Sequence, residues 1–270
     1  MVRKTFGIYS DDLSGCILFI ETGKDYIVCW CKHAETLSVK AFELFSFREI
    51  ETQDFDKLLN EMQLHSKLFA TSYEKVYCIW GDEKCVCIPR EFYDDDIAGS
   101  YMHLMYGDEA GSSFYKDDLN DFIILAKLPD ASSSFTAYHT IEANVHKYYH
   151  LLKVQQAAVS ENKLHIVFYH SHFIVSVFKD GVLQLIQNFF YRAPEDVLYH
   201  LLNICETFEL SASETPVYAS GMIDISSPLY EILHAYVHHF AFEPIHKEMF
   251  DESFYEYPLH YFASFCQYDV

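Results

Sequence analysis

Positive charge is scarce in this chain. Its 270 residues hold 19 Lys and Arg against 40 Asp and Glu, a formal net charge of −21 at pH 7. Such a field repels phosphate backbones and anionic lipid surfaces, and no run of Lys and Arg marks a local basic groove. Nucleic acid and membrane surfaces are therefore not expected partners, whereas a basic protein would be attracted. No stretch of about 18 uncharged apolar residues occurs, so no membrane-spanning helix is expected. The opening MVRKTFGIYSDD runs into acids where a secretory signal would carry its apolar core. The expected location is the cytoplasm, with the 8 Cys kept as thiols. The HExxH metalloprotease and GxSxG hydrolase motifs are also missing.

What is present is apolar and aromatic. Hydrophobic residues make up 50 % of the chain, with 23 Phe and 21 Tyr, which excludes low-complexity disorder and allows a sizeable core. Alternation predicts strands over 4–10, 16–21 and 26–33, then a helix over about 53–69. VYCIW (76–80) and CVCIP (85–89) flank GDEK as a hairpin signal. A helix over FYDDDIAGSYMHLM, a polar loop GDEAGSS and a strand at 122–128 follow. The second half predicts strands over 163–169, 172–179 and 182–190, then a helix opened by Pro194. Next come a strand at 216–220, a helix from Ser227-Pro228 and a last strand, AFEPI. Residues 137–156 read as a polar and aromatic helical connector.

Both halves thus read strand–strand–strand–helix–strand–helix–strand, a repeat of element order without residue identity. That order implies an α/β fold with mixed sheets: tandem ribonuclease-H-like halves in an actin-like ATPase architecture, divided as residues 1–135 and 136–270. The segments YSDDLSGCILF, CVCIPREFYDDDIAGSYMHL, FIILAKLP and EYPLHYFASFC, in that order, resemble a bacterial family of unknown function, common in Bacteroidetes, whose fold is actin-like. The resemblance spans nearly the whole chain. It implies a fold rather than a function.

Actin-like ATPases hold nucleotide phosphates on two hairpin turns, one per half, each with small residues that open backbone N–H groups and an Asp for metal or water. The first half offers Asp11, Asp12, Ser14 and Gly15 as candidate nucleotide-binding residues, although these are turn formers in any protein. The second half offers Tyr169-His170-Ser171-His172, with neither Asp nor Gly. Ser220 and Gly221 resemble the small-residue turn that lets adenosine approach backbone, but with one Gly where nucleotide binders tend to carry two. ATP with Mg²⁺ is accordingly the cofactor to test, and none is expected to be held. A ribonuclease-H-type nuclease would need several converging carboxylates. Asp11 or Asp12 can supply one, and no later acid lies compellingly on a strand.

Cys29-x-Cys31 and Cys85-x-Cys87 share strand faces, which suits core packing better than the C-x₂₋₄-C knuckles of zinc sites. No metal site is expected. His146 and His150, and His234 and His238, stand at i, i+4, and the second pair falls opposite the apolar stripe Leu229–Ile232–Leu233–Tyr236–Val237. Asp94-Asp95-Asp96 reads as acid at a helix start. No catalytic residue is assigned. The leading expectation is a non-catalytic, degenerate actin-like protein that binds another protein, with nucleotide binding and then a nuclease as alternatives; neither partner nor oligomeric state is legible.

Overall fold

The computed structural model describes residues 2–47, 55–81, 84–107, 114–127, 132–156 and 162–266. The chain divides into two compact units, Met1–Lys153 with Glu248–Phe254, and Val154–Lys247 with Tyr255–Tyr268. The first unit therefore runs past the division drawn at residue 135. The reason is a strand at 141–146 that pairs into the first sheet.

In the first unit the elements are β1 (Arg3–Tyr9), β2 (Cys16–Thr22), β3 (Tyr26–His33), β4 (Val39–Ser46), α1 (Phe55–His65) and β5 (Val76–Trp80). There follow β6 (Cys85–Pro89), α2 (Ala98–Tyr106), β7 (Phe114–Asp118), β8 (Phe122–Lys127), α3 (Ser132–Phe135), β9 (Ile141–His146) and α4 (Lys147–Gln156). The main sheet has the order β1-β4-β3-β2-β5-β9. β2, β3 and β4 form the antiparallel meander, and β5 and β9 enter parallel to β2. The meander is thus not the first three strands of the chain. β1 is an additional strand laid antiparallel on the outer edge of β4.

The second unit holds β10 (Lys163–Phe168), β11 (His172–Lys179), β12 (Val182–Phe190), α5 (Pro194–Thr207), β13 (Val217–Gly221), α6 (Pro228–Tyr236) and β14 (Phe240–Phe242). Its sheet order, β12-β11-β10-β13-β14, is that of β4-β3-β2-β5-β9. β10 and β13 are parallel, as are β13 and β14. The equivalence extends to single residues. Trp80 lies opposite Thr22, and the next N–H, from Gly81, donates to the Thr22 carbonyl at 2.8 Å. Gly221 lies opposite Phe168, and the Met222 N–H donates to the Phe168 carbonyl at 2.8 Å. Two mixed sheets of one topology establish the tandem α/β architecture expected from element order.

Each sheet packs one face on its helices. In the first unit Leu18, Ile20, Cys29, Cys31, Phe45 and Cys78 meet Leu58, Leu59 and Met62 of α1 and Phe135 of α3. Cys29 and Cys31 sit side by side in this core. Burial and the nearby Glu43 carboxylate push the Cys29 thiol well up. On the other face Phe19 stacks between Trp30 at 5.3 Å and Tyr77 at 5.4 Å, so aromatic area is taken up inside. In the second unit Leu164, Ile166, Val175 and Val177 meet Val197, Leu201 and Ile204 of α5 and Leu229 and Leu233 of α6. The α5 start is held by Asp196, whose carboxylate accepts the Arg192 and Ala193 N–H groups at 2.8 and 3.0 Å.

Several elements differ from the expectation. β4 has the buried Glu43 in its middle, which interrupts the apolar pattern that would have marked it. β5 and β6 are not a hairpin. β5 belongs to the main sheet, and β6 joins a separate sheet of order β6-β8-β7 over a small core of Ile88, Ala98, Met102 and Leu125. The segment 137–156 is β9 followed by α4, so His146 and His150 are not a helical pair. His234 and His238 are exposed as expected, and so is Tyr236, which the stripe had placed inside. Residues 108–113 of the GDEAGSS loop lie outside the described residues.

Candidate functional site

In open α/β sheets ligands meet the carboxyl ends of the parallel strands. In the first unit these are the ends of β2, β5 and β9. Asp11, Asp12, Ser14 and Gly15 lie elsewhere: they join β1 to the start of β2, at the amino end of that strand. Asp12 Oδ1 accepts the Ser14 N–H at 2.8 Å, and Gly15 takes a left-handed φ of 63°. The Ser14 backbone and hydroxyl hold the exposed Asp12 carboxyl below its ordinary range. These contacts make a self-contained turn.

By sheet order the hairpin that matches Tyr169–His172 is Gly23–Tyr26, between β2 and β3. Both are closed in the same way. The Gly23 N–H donates to the Tyr26 carbonyl at 3.0 Å, and the Tyr169 N–H to the His172 carbonyl at 2.9 Å. Each leaves a two-residue loop, Lys24-Asp25 or His170-Ser171. In the second unit the Tyr169 and His172 rings stack at 4.5 Å and 7°, and the Tyr191 hydroxyl donates to the Tyr169 carbonyl at 2.9 Å.

Just before the first hairpin stands a carboxylate that sequence reasoning missed. Glu21 is fully buried on β2, and its Oε2 lies 2.5 Å from Nζ of Lys147, itself 1 % exposed. The Tyr26 hydroxyl donates to Oε1 at 2.8 Å. Lys147 is the first residue of α4, placed there because β9 ends at His146. Beside it, the His146 N–H donates to Oδ2 of Asp117 at 2.6 Å. Burial pushes the Asp117 carboxyl up to about 7, against the pull of that N–H. Asn144 accepts from the Trp80 indole at 2.9 Å. The period-2 pattern Ile141-x-Ala143-x-Val145 was the available signal for β9, and through it for Lys147.

In the second unit Ser220 and Gly221 end β13. Gly221 has a φ of 80°, and a Cβ there would lie 2.2 Å from the Phe168 carbonyl oxygen. The glycine is thus required by the close approach of two strands. Three residues on, Asp224 accepts from Ser226 N–H at 2.7 Å and from the Tyr261 hydroxyl at 2.9 Å, which holds its carboxyl low. Among the described residues no three His, Cys, Asp or Glu side chains stand together as a metal site, and no helix is long and apolar enough to cross a membrane.

Comparison with known proteins agrees with this architecture. A crystal structure from Bacteroides thetaiotaomicron, of a protein with an actin-like ATPase fold and unknown function, superposes with a TM-score of 0.69 at 16 % identity. The match covers 85 % of this chain and 91 % of that one. The PilM–PilN type IV pilus biogenesis complex matches with a TM-score of 0.55 at 9 % identity, over 88 % and 89 % of the two chains. At these identities the likeness is one of fold. No curated protein matches the sequence. The family model described as "Protein of unknown function (DUF3822)" matches residues 8–240, so the chain belongs to that family and has the actin-like ATPase fold.

Proposed function

We propose that the protein is a non-catalytic member of the actin-like fold that works by binding another protein. The observation that carries this reading is the tightness of the two hairpins at the carboxyl ends of β2 and β10. Gly23 and Tyr169 each spend their N–H on closing the turn, and only two loop residues remain in each. A triphosphate clamp needs open donors from both turns. The Glu21 carboxylate, one residue before the end of β2, is further neutralised by Lys147 rather than left for a metal ion. In the second unit, stacked Tyr169 and His172 rings occupy the turn flanks.

The surface supports a protein partner. The β6-β8-β7 module, with its helix α2, exposes Phe92 (67 %), Leu104 (83 %) and Met105 (61 %). Exposed apolar groups of this size mark interaction sites when they cluster. One structural neighbour, PilM–PilN, is itself a protein complex, in keeping with this reading. At −21, the partner surface that fits is basic.

Calorimetry with MgATP tests the proposal. Binding weaker than about 1 mM is expected. Micromolar binding would refute the reading in favour of a nucleotide-binding protein. It would also show in a melt, since millimolar ligand would then add about 4 kcal/mol of stability.

A further inference from the structure

The two sheets differ at one edge. In the first unit the outer edge of β4 is covered by β1, which pairs with Ala41 through Ser46. The corresponding edge in the second unit belongs to β12, the first strand in its sheet order, and no described strand pairs with its other side. The equivalence is detailed. β4 carries an irregularity against β3 that skips Lys40, and β12 one against β11 that skips Gln184. Beyond it, Glu43 lies opposite Cys29 and Gln187 opposite Val175. Glu43 is buried under β1, where Lys4 donates to it at 2.6 Å and the Tyr9 hydroxyl also donates. Gln187 is exposed. The stretch Leu185–Phe190 is thus the counterpart of the stretch that takes an added strand in the first unit.

Beyond its irregularity at Gln184, β12 also lacks the charges and the proline that blunt edges: its nine residues are VLQLIQNFF. Val182 and Phe190 are exposed, and Oδ1 of Asn188 is buried with no hydrogen-bond partner among the described residues. Beside the strand, His200 of α5 packs on Phe189 at 4.6 Å, and the outward side of that helix carries exposed Tyr199 and Leu202.

We propose that β12 is a strand-addition edge and that its occupant is β12 of a second copy of this chain, paired antiparallel about a two-fold axis. An uncharged edge fits an uncharged strand. A basic peptide would find no counter-charge within β12, whereas the copy supplies the same alternating apolar pattern. Isologous pairing also closes, leaving no further edge on either β12. The charge of −21 on each copy opposes association at long range, so the dimer is strengthened by salt, which shortens the screening length from about 30 Å at 0.01 M to about 8 Å at 0.15 M.

Sedimentation equilibrium of the full chain at low and physiological salt, up to about 100 µM, tests this. Expected is a monomer–dimer equilibrium shifted toward dimer by salt. Gln187→Lys and Phe190→Lys, both at exposed side chains, should each weaken the dimer by about tenfold or more, as edge lysines do. Leu104→Lys, on α2, should leave it unchanged. Melting curves confirm that the variants fold, and slowed hydrogen exchange at Leu185–Phe190 with rising concentration reports the edge directly. A monomer under all conditions would overturn the proposal, as would a dimer that ignores both β12 variants or yields to Leu104→Lys.

Discussion

The two sheets place the same backbone hydrogen bonds in the same order, yet fill the equivalent positions with different chemistry. Thr22 and Phe168 end matching strands, and each carbonyl accepts from the residue after the parallel neighbour. One position earlier, Glu21 in the first unit corresponds to Val167 in the second. The first unit therefore buries an ion pair where the second buries a methyl-bearing side chain. The same backbone crossing thus stands beside either side chain in the two units.

Breaking the shared feature should have the largest effect. Gly221→Ala forces a Cβ to within 2.2 Å of the Phe168 carbonyl in a left-handed backbone, and is expected to cost about 3 kcal/mol or more. At Gly81 the same substitution meets the Thr22 carbonyl at 3.1 Å, with no left-handed φ, and about 1 kcal/mol is expected. Denaturant titration of both variants checks the ratio. Equal losses would mean that the left-handed φ and the closer approach at Gly221 add no cost of their own.

An effect of comparable size lies where the units differ. Lys147→Met removes the ammonium from a fully buried carboxylate and should destabilise by about 3–5 kcal/mol. Glu21→Val combined with Lys147→Met gives the first unit the apolar residue of the second. It should recover most of that loss, because a well-packed apolar pair replaces a buried ion pair at little net change. A double variant as unstable as the single one would show that the ion pair is needed by the fold itself.

How far the sequence reached follows the same division. The second unit is legible nearly to the residue, since β10, β11 and β12 are strands rich in apolar residues, follow one another directly and are bounded by turns. In the first unit the sequence pattern places the meander one strand too early. β1 has the alternation of a sheet strand, whereas Lys40 and Glu43 break the apolar run of β4. That single displacement moved the candidate phosphate turn from Gly23–Tyr26 to Asp11–Gly15. The Glu21–Lys147 pair joins residues 126 positions apart, and no local pattern announces such a contact. The family and its fold were nevertheless readable, because order survives a shift of one element.

Asp117 separates the units most subtly, and it makes the stability of the first unit depend on pH. It lies on β7, in a module with no counterpart among the described residues of the second unit, and takes the N–H that ends β9. Its carboxyl is raised from 3.8 to about 7, chiefly by burial. The folded state therefore binds this proton more tightly than the unfolded chain. Below about pH 4 both states are protonated and nothing is lost. Between about pH 4 and 7 folding stability falls as pH rises, and above about 7 the full penalty is present, up to about 4 kcal/mol. Asp117→Asn keeps an acceptor for the His146 N–H and cannot ionise. It should raise stability at pH 8 by about 1–4 kcal/mol and flatten the pH dependence between 4 and 8. Denaturant titrations across that range decide the point. An Asn variant no more stable than the parent at pH 8 would mean that the carboxylate is stabilised as an anion, and that the module is held to β9 by charge.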